Sequence, residues 1–122
     1  MTRTIIAMKA VLAIASFAFA GTADTMANTV TLTGTIVDNA CAGGHIQDLG
    51  NFVKAHTKDC ALMPGCVASG YGIYADGGFT KFDKASNTKV EEFLHKTDSK
   101  LEVVVEAKNV GDDLELISIR NR

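Results

Sequence analysis

The sequence predicts a mainly β domain, a small five-stranded Greek-key barrel with two short helices, one of them in a cysteine-bearing insert after the first strand. Three observations carry this expectation. β-favouring residues alternate with period two in several short runs. A glycine turn, Asp76-Gly77-Gly78, separates two of those runs. A helix start signal, Thr88 with Glu91 three residues on, falls before the last two.

Residues 1–27 precede the first strand and read as an export signal. Arg3 and Lys9 make a positive start, and Val11 to Ala20 is an unbroken apolar run. Small-x-small exits come next at Ala18-Phe19-Ala20 and Thr25-Met26-Ala27, so cleavage is expected after Ala20 or Ala27. The apolar run is too short for a comfortable membrane span. Residues 28–122 amount to about one small domain, expected to be periplasmic or secreted.

The elements of that domain run in order along the chain. Asn28 to Val37 is the first strand: Val30, Leu32, Gly34 and Ile36 alternate with Thr29, Thr31, Thr33 and Thr35. Asp38-Asn39 ends it, and Cys41 to His45 reads as a loop. Ile46, Leu49, Phe52, Val53 and His56 recur at steps of three and four, one face of a short helix. Thr57 to Gly70 reads as irregular, with a Pro64-Gly65 turn. Tyr71 to Ala75 and Phe79 to Phe82 form a hairpin. The Thr88/Glu91 box opens a helix whose apolar face holds Val90, Phe93 and Leu94, running to about Lys96. Leu101, Val103 and Val105 mark the fourth strand, and Leu114 to Ile119 the fifth, across a turn at Asn109 to Asp113.

Five strands with one helix between the third and fourth is the order of the OB-fold. Gly34-Thr35-Ile36-Val37-Asp38 followed by Cys41-x3-His45, the pair Cys60 and Cys66, and the terminal hairpin Leu101 to Ile119 together resemble a family of small exported bacterial OB-like proteins with a Cys/His insert after the first strand. The resemblance covers roughly Val30 to Ile119 and implies that fold. The family brings no established activity.

Charge narrows the function classes. Twelve Lys and Arg stand against fourteen Asp and Glu, a formal net charge of −2. Removing residues 1–27 takes away Arg3, Lys9 and only one acid, Asp24, so the domain itself is more acidic still. A nucleic-acid or anionic-membrane binder needs a basic face, and no transmembrane segment comes after the signal. A protein or envelope component is the expected kind of partner.

All three cysteines, Cys41, Cys60 and Cys66, lie in the insert. An exported domain is expected to form disulfides, and an odd count leaves one thiol over. Cys41 joined to Cys60 or Cys66 would staple the insert to the first strand, making the protein a small binding or structural domain. Cys60 joined to Cys66 would pin a turn. The alternative is a zinc or copper site, or a cofactor site, drawn from Cys41, His45, His56, Cys60 and Cys66. Cys41/His45 and His56/Cys60 are each four apart, a spacing that shares one helix face, and thiolate with imidazole suits those ions.

No enzyme signature accompanies the cluster. Ser69-Gly70 lacks a nucleophile elbow. Cys-x-x-Cys is absent. Glu91-Glu92 and Asp112-Asp113 are adjacent pairs that point apart, and Gly77-Gly78 opens no helix that would cradle phosphate. An envelope enzyme would need a site these residues do not display. Tyr71, Tyr74, Phe79 and Phe82 fit either a stacking platform or, with an acidic domain, core packing. His95, among charged neighbours, reads as solvated surface.

Overall fold

The computed structural model describes residues 28–122. The export signal and its two cleavage points lie outside the described residues. Strand β1 (Thr29–Asp38) leads into four short helices, α1 (Asn39–Gly44), α2 (Leu49–Ala55), α3 (Lys58–Ala61) and α4 (Pro64–Ser69). A hairpin of β2 (Tyr71–Ala75) and β3 (Gly78–Lys81), helix α5 (Lys84–Leu94), and a second hairpin of β4 (Glu102–Val110) and β5 (Asp113–Asn121) complete the domain. The fold is mainly β, one antiparallel five-stranded sheet in the order β3-β2-β1-β4-β5.

The sheet is not closed, so the closed barrel expected from the sequence does not form. Among the described residues its two edges come together at an isolated parallel bridge between Phe82, just past β3, and Leu114, where Asp83 N donates to Leu114 O at 2.8 Å. The reason is local. β3 is only four residues long, and the next edge donor of β5, Leu116 N, is taken by Ser86 Oγ of α5 at 2.8 Å. A helix thus satisfies the edge where a strand would have to pair.

The two faces of β1 explain where the core and the insert sit. The strand is only partly covered along its first half, but Ile36, Val37 and Asp38 are all buried. Because strand side chains alternate between faces, Ile36 and Val37 enter different clusters. Ile36 joins the main core with Tyr71, Ile73, Val90, Leu94, Val103, Val105 and Leu114, packed under α5. Val37 packs with Ala42 and Leu49, against which Phe52, Val53, Tyr74 and Phe79 are laid. The insert therefore covers the outer face of the sheet at the β1–β2 end. Gly34 lets the Tyr74 carbonyl come close to β1; a Cβ there would collide with it.

Several local expectations change. Ile46 is 61% exposed and lies before α2, whose described start is Leu49. Cys41 to Gly44 is helical, not loop, because Asp38 caps it by accepting from Cys41 N at 2.9 Å. The stretch 57–70 holds two helices. Thr57 caps α3 by accepting from Cys60 N, and Pro64 opens α4. Among the described residues the two expected helices are therefore five. Helix α5 begins a turn before Thr88, because Asp83 caps it by accepting from Ser86 N at 2.9 Å. Asp76 (φ 52°) and Gly77 (φ 77°) make the tight hairpin turn alone, which frees Gly78 for β3. Of the four aromatics, Tyr71 and Phe82 are buried in the main core, while Tyr74 and Phe79 pack half-buried under the insert, so packing accounts for them.

Candidate metal centre

Hydrogen bonds fix the insert at three places. Tyr71 Oη donates to Ala61 O at 2.8 Å, inside the core. Lys58 Nζ donates to Lys96 O, Ser99 O and Ser99 Oγ at 2.9 to 3.2 Å, past the C-terminus of α5. Asn39 Nδ2 donates to Ser69 O at 2.8 Å and Ala40 N to Ser69 Oγ at 3.1 Å, which draws α1 onto α4. Through these bonds Cys41 on α1, Cys60 on α3 and Cys66 on α4 are brought toward one place at the end of β1.

Two overlapping triplets result. Donor atoms of Cys41, His56 and Cys60 lie within 4.8 Å of one another, and so do those of Asp38, Cys41 and Cys66. Cys41 belongs to both. The three thiols are free and half-buried. The expected disulfide is therefore not formed: a bond needs sulfurs at about 2.05 Å, and the thiols stand apart as separate donors.

The residues arrive by a different route than their spacing suggests. Helix α1 ends at Gly44, and His45, its C-cap, is exposed and turns its ring onto Phe52, with centroids 4.0 Å apart and planes at 13°. Phe52 in turn lies 5.0 Å from the His56 ring. His45 belongs to neither triplet. His56 and Cys60 share no helix either: α2 stops at Ala55, His56 is extended, and Cys60 sits on the next helix. The chain break, not a common face, places them side by side. His95 is exposed beside Glu91 at 3.6 Å, as its charged surroundings imply.

The residue that sequence reasoning missed is Asp38. Its side chain is fully buried, and Oδ1 lies 3.1 Å from His56 Nε2, whose side chain is 1% exposed. That is the separation of an ion pair, yet neither atom takes part in a hydrogen bond. Two buried polar atoms face each other unsatisfied, an arrangement that is costly unless something else meets them. The signal for Asp38 was its place three residues before Cys41, where Asp is a leading N-cap residue.

Burial, followed by the hydrogen bond and charge of Asp38 and the nearby Cys66 and Cys60, pushes the Cys41 thiol up to about 12. Cys66 is also raised, by burial and then by Asp38, against a lowering hydrogen bond from Cys41. These are the reverse of the depressed values that make a reactive redox thiolate. A bound cation inverts this, since its charge deprotonates a coordinating thiol outright.

No protein-family model matches the chain, and comparison with curated proteins and with solved structures gives no match. Among the described residues no helix is long and apolar enough to cross a membrane.

Proposed function

We propose that this chain is a small exported domain that holds one thiophilic transition-metal ion, zinc or copper, through Cys41, His56 and Cys60. The observation that carries the reading is the convergence of free thiols on a buried His56–Asp38 pair whose facing atoms, Nε2 and Oδ1, form no hydrogen bond. Soft sulfur and borderline imidazole donors select such ions over magnesium or calcium. The insert that supplies them is tied to the sheet by Tyr71 and to the turn after α5 by Lys58, and Asn39 joins its first helix to its last, so the donors are held before an ion arrives.

We read the sheet as an incomplete OB-like barrel. Its strand order, the helix between β3 and β4, and the parallel approach of β3 to β5 at Phe82 and Leu114 all favour that arrangement. In this reading the insert is an addition to the barrel, and the site belongs to the insert and the end of β1.

Metal analysis of the protein purified from its native compartment tests the function, together with titration of reduced, metal-free protein under nitrogen. One ion of zinc or copper retained per chain through desalting is expected, and its loss in Cys41→Ser. Wild-type protein that retains neither ion would overturn the reading. N-terminal sequencing of the same preparation tests export: a chain starting at Gly21 or Asn28 is expected, and an intact Met1 would overturn it.

A further inference from the structure

We infer that Asp38 is the fourth ligand of this ion, an oxygen donor that makes the site one for divalent zinc and sets it against monovalent copper. The inference rests on the metal reading of the same cluster and adds the ligand that decides the ion.

Asp38 is held for the purpose by its two oxygens having different work. It is the last residue of β1, paired across the sheet with Tyr71. Oδ2 accepts from Cys41 N at 2.9 Å and thereby caps α1. Oδ1 has no hydrogen bond and lies 3.1 Å from His56 Nε2, which also has none. Two donors bound to one tetrahedral ion at about 2.0 to 2.1 Å stand roughly 3.3 Å apart. The separation of these two atoms, with no hydrogen bond along it, is close to that of ligands on a common ion.

The competing fourth donor is Cys66. It shares a triplet with Asp38 and Cys41, and neither Asp38 nor Cys66 shares one with His56 and Cys60. What favours the carboxylate is that its Oδ1 lies 3.1 Å from His56 Nε2, close to the spacing of two ligands on one ion. The choice of ion comes from that donor. A carboxylate oxygen is a hard donor that suits zinc, whereas copper(I) is selected by sulfur. Two thiolates and a carboxylate also carry more negative charge than a monovalent ion can offset, and Asp38 is fully buried, where uncompensated charge is costly.

The test compares wild type, Asp38→Asn and Cys66→Ser, each reduced and metal-free, in competition titrations with chromophoric chelators for Zn²⁺ and for Cu⁺. Asparagine keeps a side-chain oxygen for Cys41 N, and melting by circular dichroism checks the fold. If Asp38→Asn does not fold, Asp38→Ser keeps the same capping acceptor and replaces it. Zinc affinity is expected to fall about tenfold or more in the Asp38 variant, with copper(I) affinity little changed and Cys66→Ser retaining zinc. X-ray absorption of the wild-type zinc form should show two sulfur and two nitrogen or oxygen neighbours. Equal loss of both ions in the Asp38 variant, zinc loss in Cys66→Ser instead, or three sulfurs around zinc would overturn the assignment. Wild-type zinc binding untouched by Asp38→Asn removes only this inference, whereas wild type that binds neither ion removes the metal reading beneath it.

Discussion

The Tyr71 hydroxyl donates to the Ala61 carbonyl at 2.8 Å, and both residues are fully buried. This bond joins strand β2 to helix α3, so it ties the cysteine-bearing insert to the main core. Tyr71→Phe keeps the ring in place and leaves the Ala61 carbonyl without its donor. An unfolding free energy lower by about 1 to 3 kcal/mol is expected by urea titration, with amide exchange speeding first in α3. An unchanged midpoint would mean that the insert is held without this bond.

The same residue gives the domain an alkaline limit. Burial, and then the charges of Glu91, Asp38 and Cys66, raise the Tyr71 phenol from 10.0 to about 12. The folded state therefore keeps its proton where the unfolded chain loses it. The stability this confers is whole below pH 10.0 and is lost as the pH rises toward about 12. Wild-type stability should fall through that window more steeply than that of Tyr71→Phe, followed by urea unfolding at successive pH values. Parallel curves for the two proteins would show that Tyr71 ionises freely when folded.

Two substitutions on neighbouring residues test the face assignment of β4. Val103 is fully buried in the main core, while Val104 is half-buried on the other face, opposite Thr33 and Arg120. Val103→Asp places an unpaired charge in the core and should prevent folding. Val104→Asp should leave a folded protein with a cooperative melt. If the two variants behave alike, the alternation that places this strand is wrong.

The strand pattern was legible in the sequence because it depends on which residues alternate. Val103 and Val105 are core and Glu102 and Glu106 are exposed, as period two requires. Closure of the sheet was not legible, because it turns on Ser86 Oγ taking Leu116 N, a contact between residues thirty apart. The insert shows the same division. Its three cysteines were readable as one cluster, but equal spacing misled for His45: the two glycines Gly43 and Gly44 end α1, and the ring stacks on Phe52 instead. Asp38 escaped notice because a strand-ending aspartate is ordinary until the fold buries it beside a histidine. At α5 the Thr88/Glu91 spacing is a true capping pattern in sequence, yet Asp83 supplies the cap and puts Thr88 in the helix interior.

A metal-held insert and a disulfide-held one differ in what loosens them. All three thiols are free, and the donors of Cys41, His56 and Cys60 stand within 4.8 Å of one another. A bridged insert would lose the restraint on its unfolded chain when reduced, about 3 kcal/mol for a loop of roughly 20 residues. A metal-held insert loses instead the binding free energy that favours the folded state, about 2.7 kcal/mol at a free-ion concentration one hundred times Kd. Protein isolated with its ion should therefore keep its melting temperature in a mild phosphine reductant. A strong chelator should lower it, and amide exchange should then rise in α1 and α3 ahead of the β1–β4 pairing. The structure dictates this order: these helices carry Cys41 and Cys60, whereas the β1–β4 pairing draws on the core valines. Sensitivity to the reductant with indifference to the chelator would show the reverse, an insert stapled by sulfur and holding no metal.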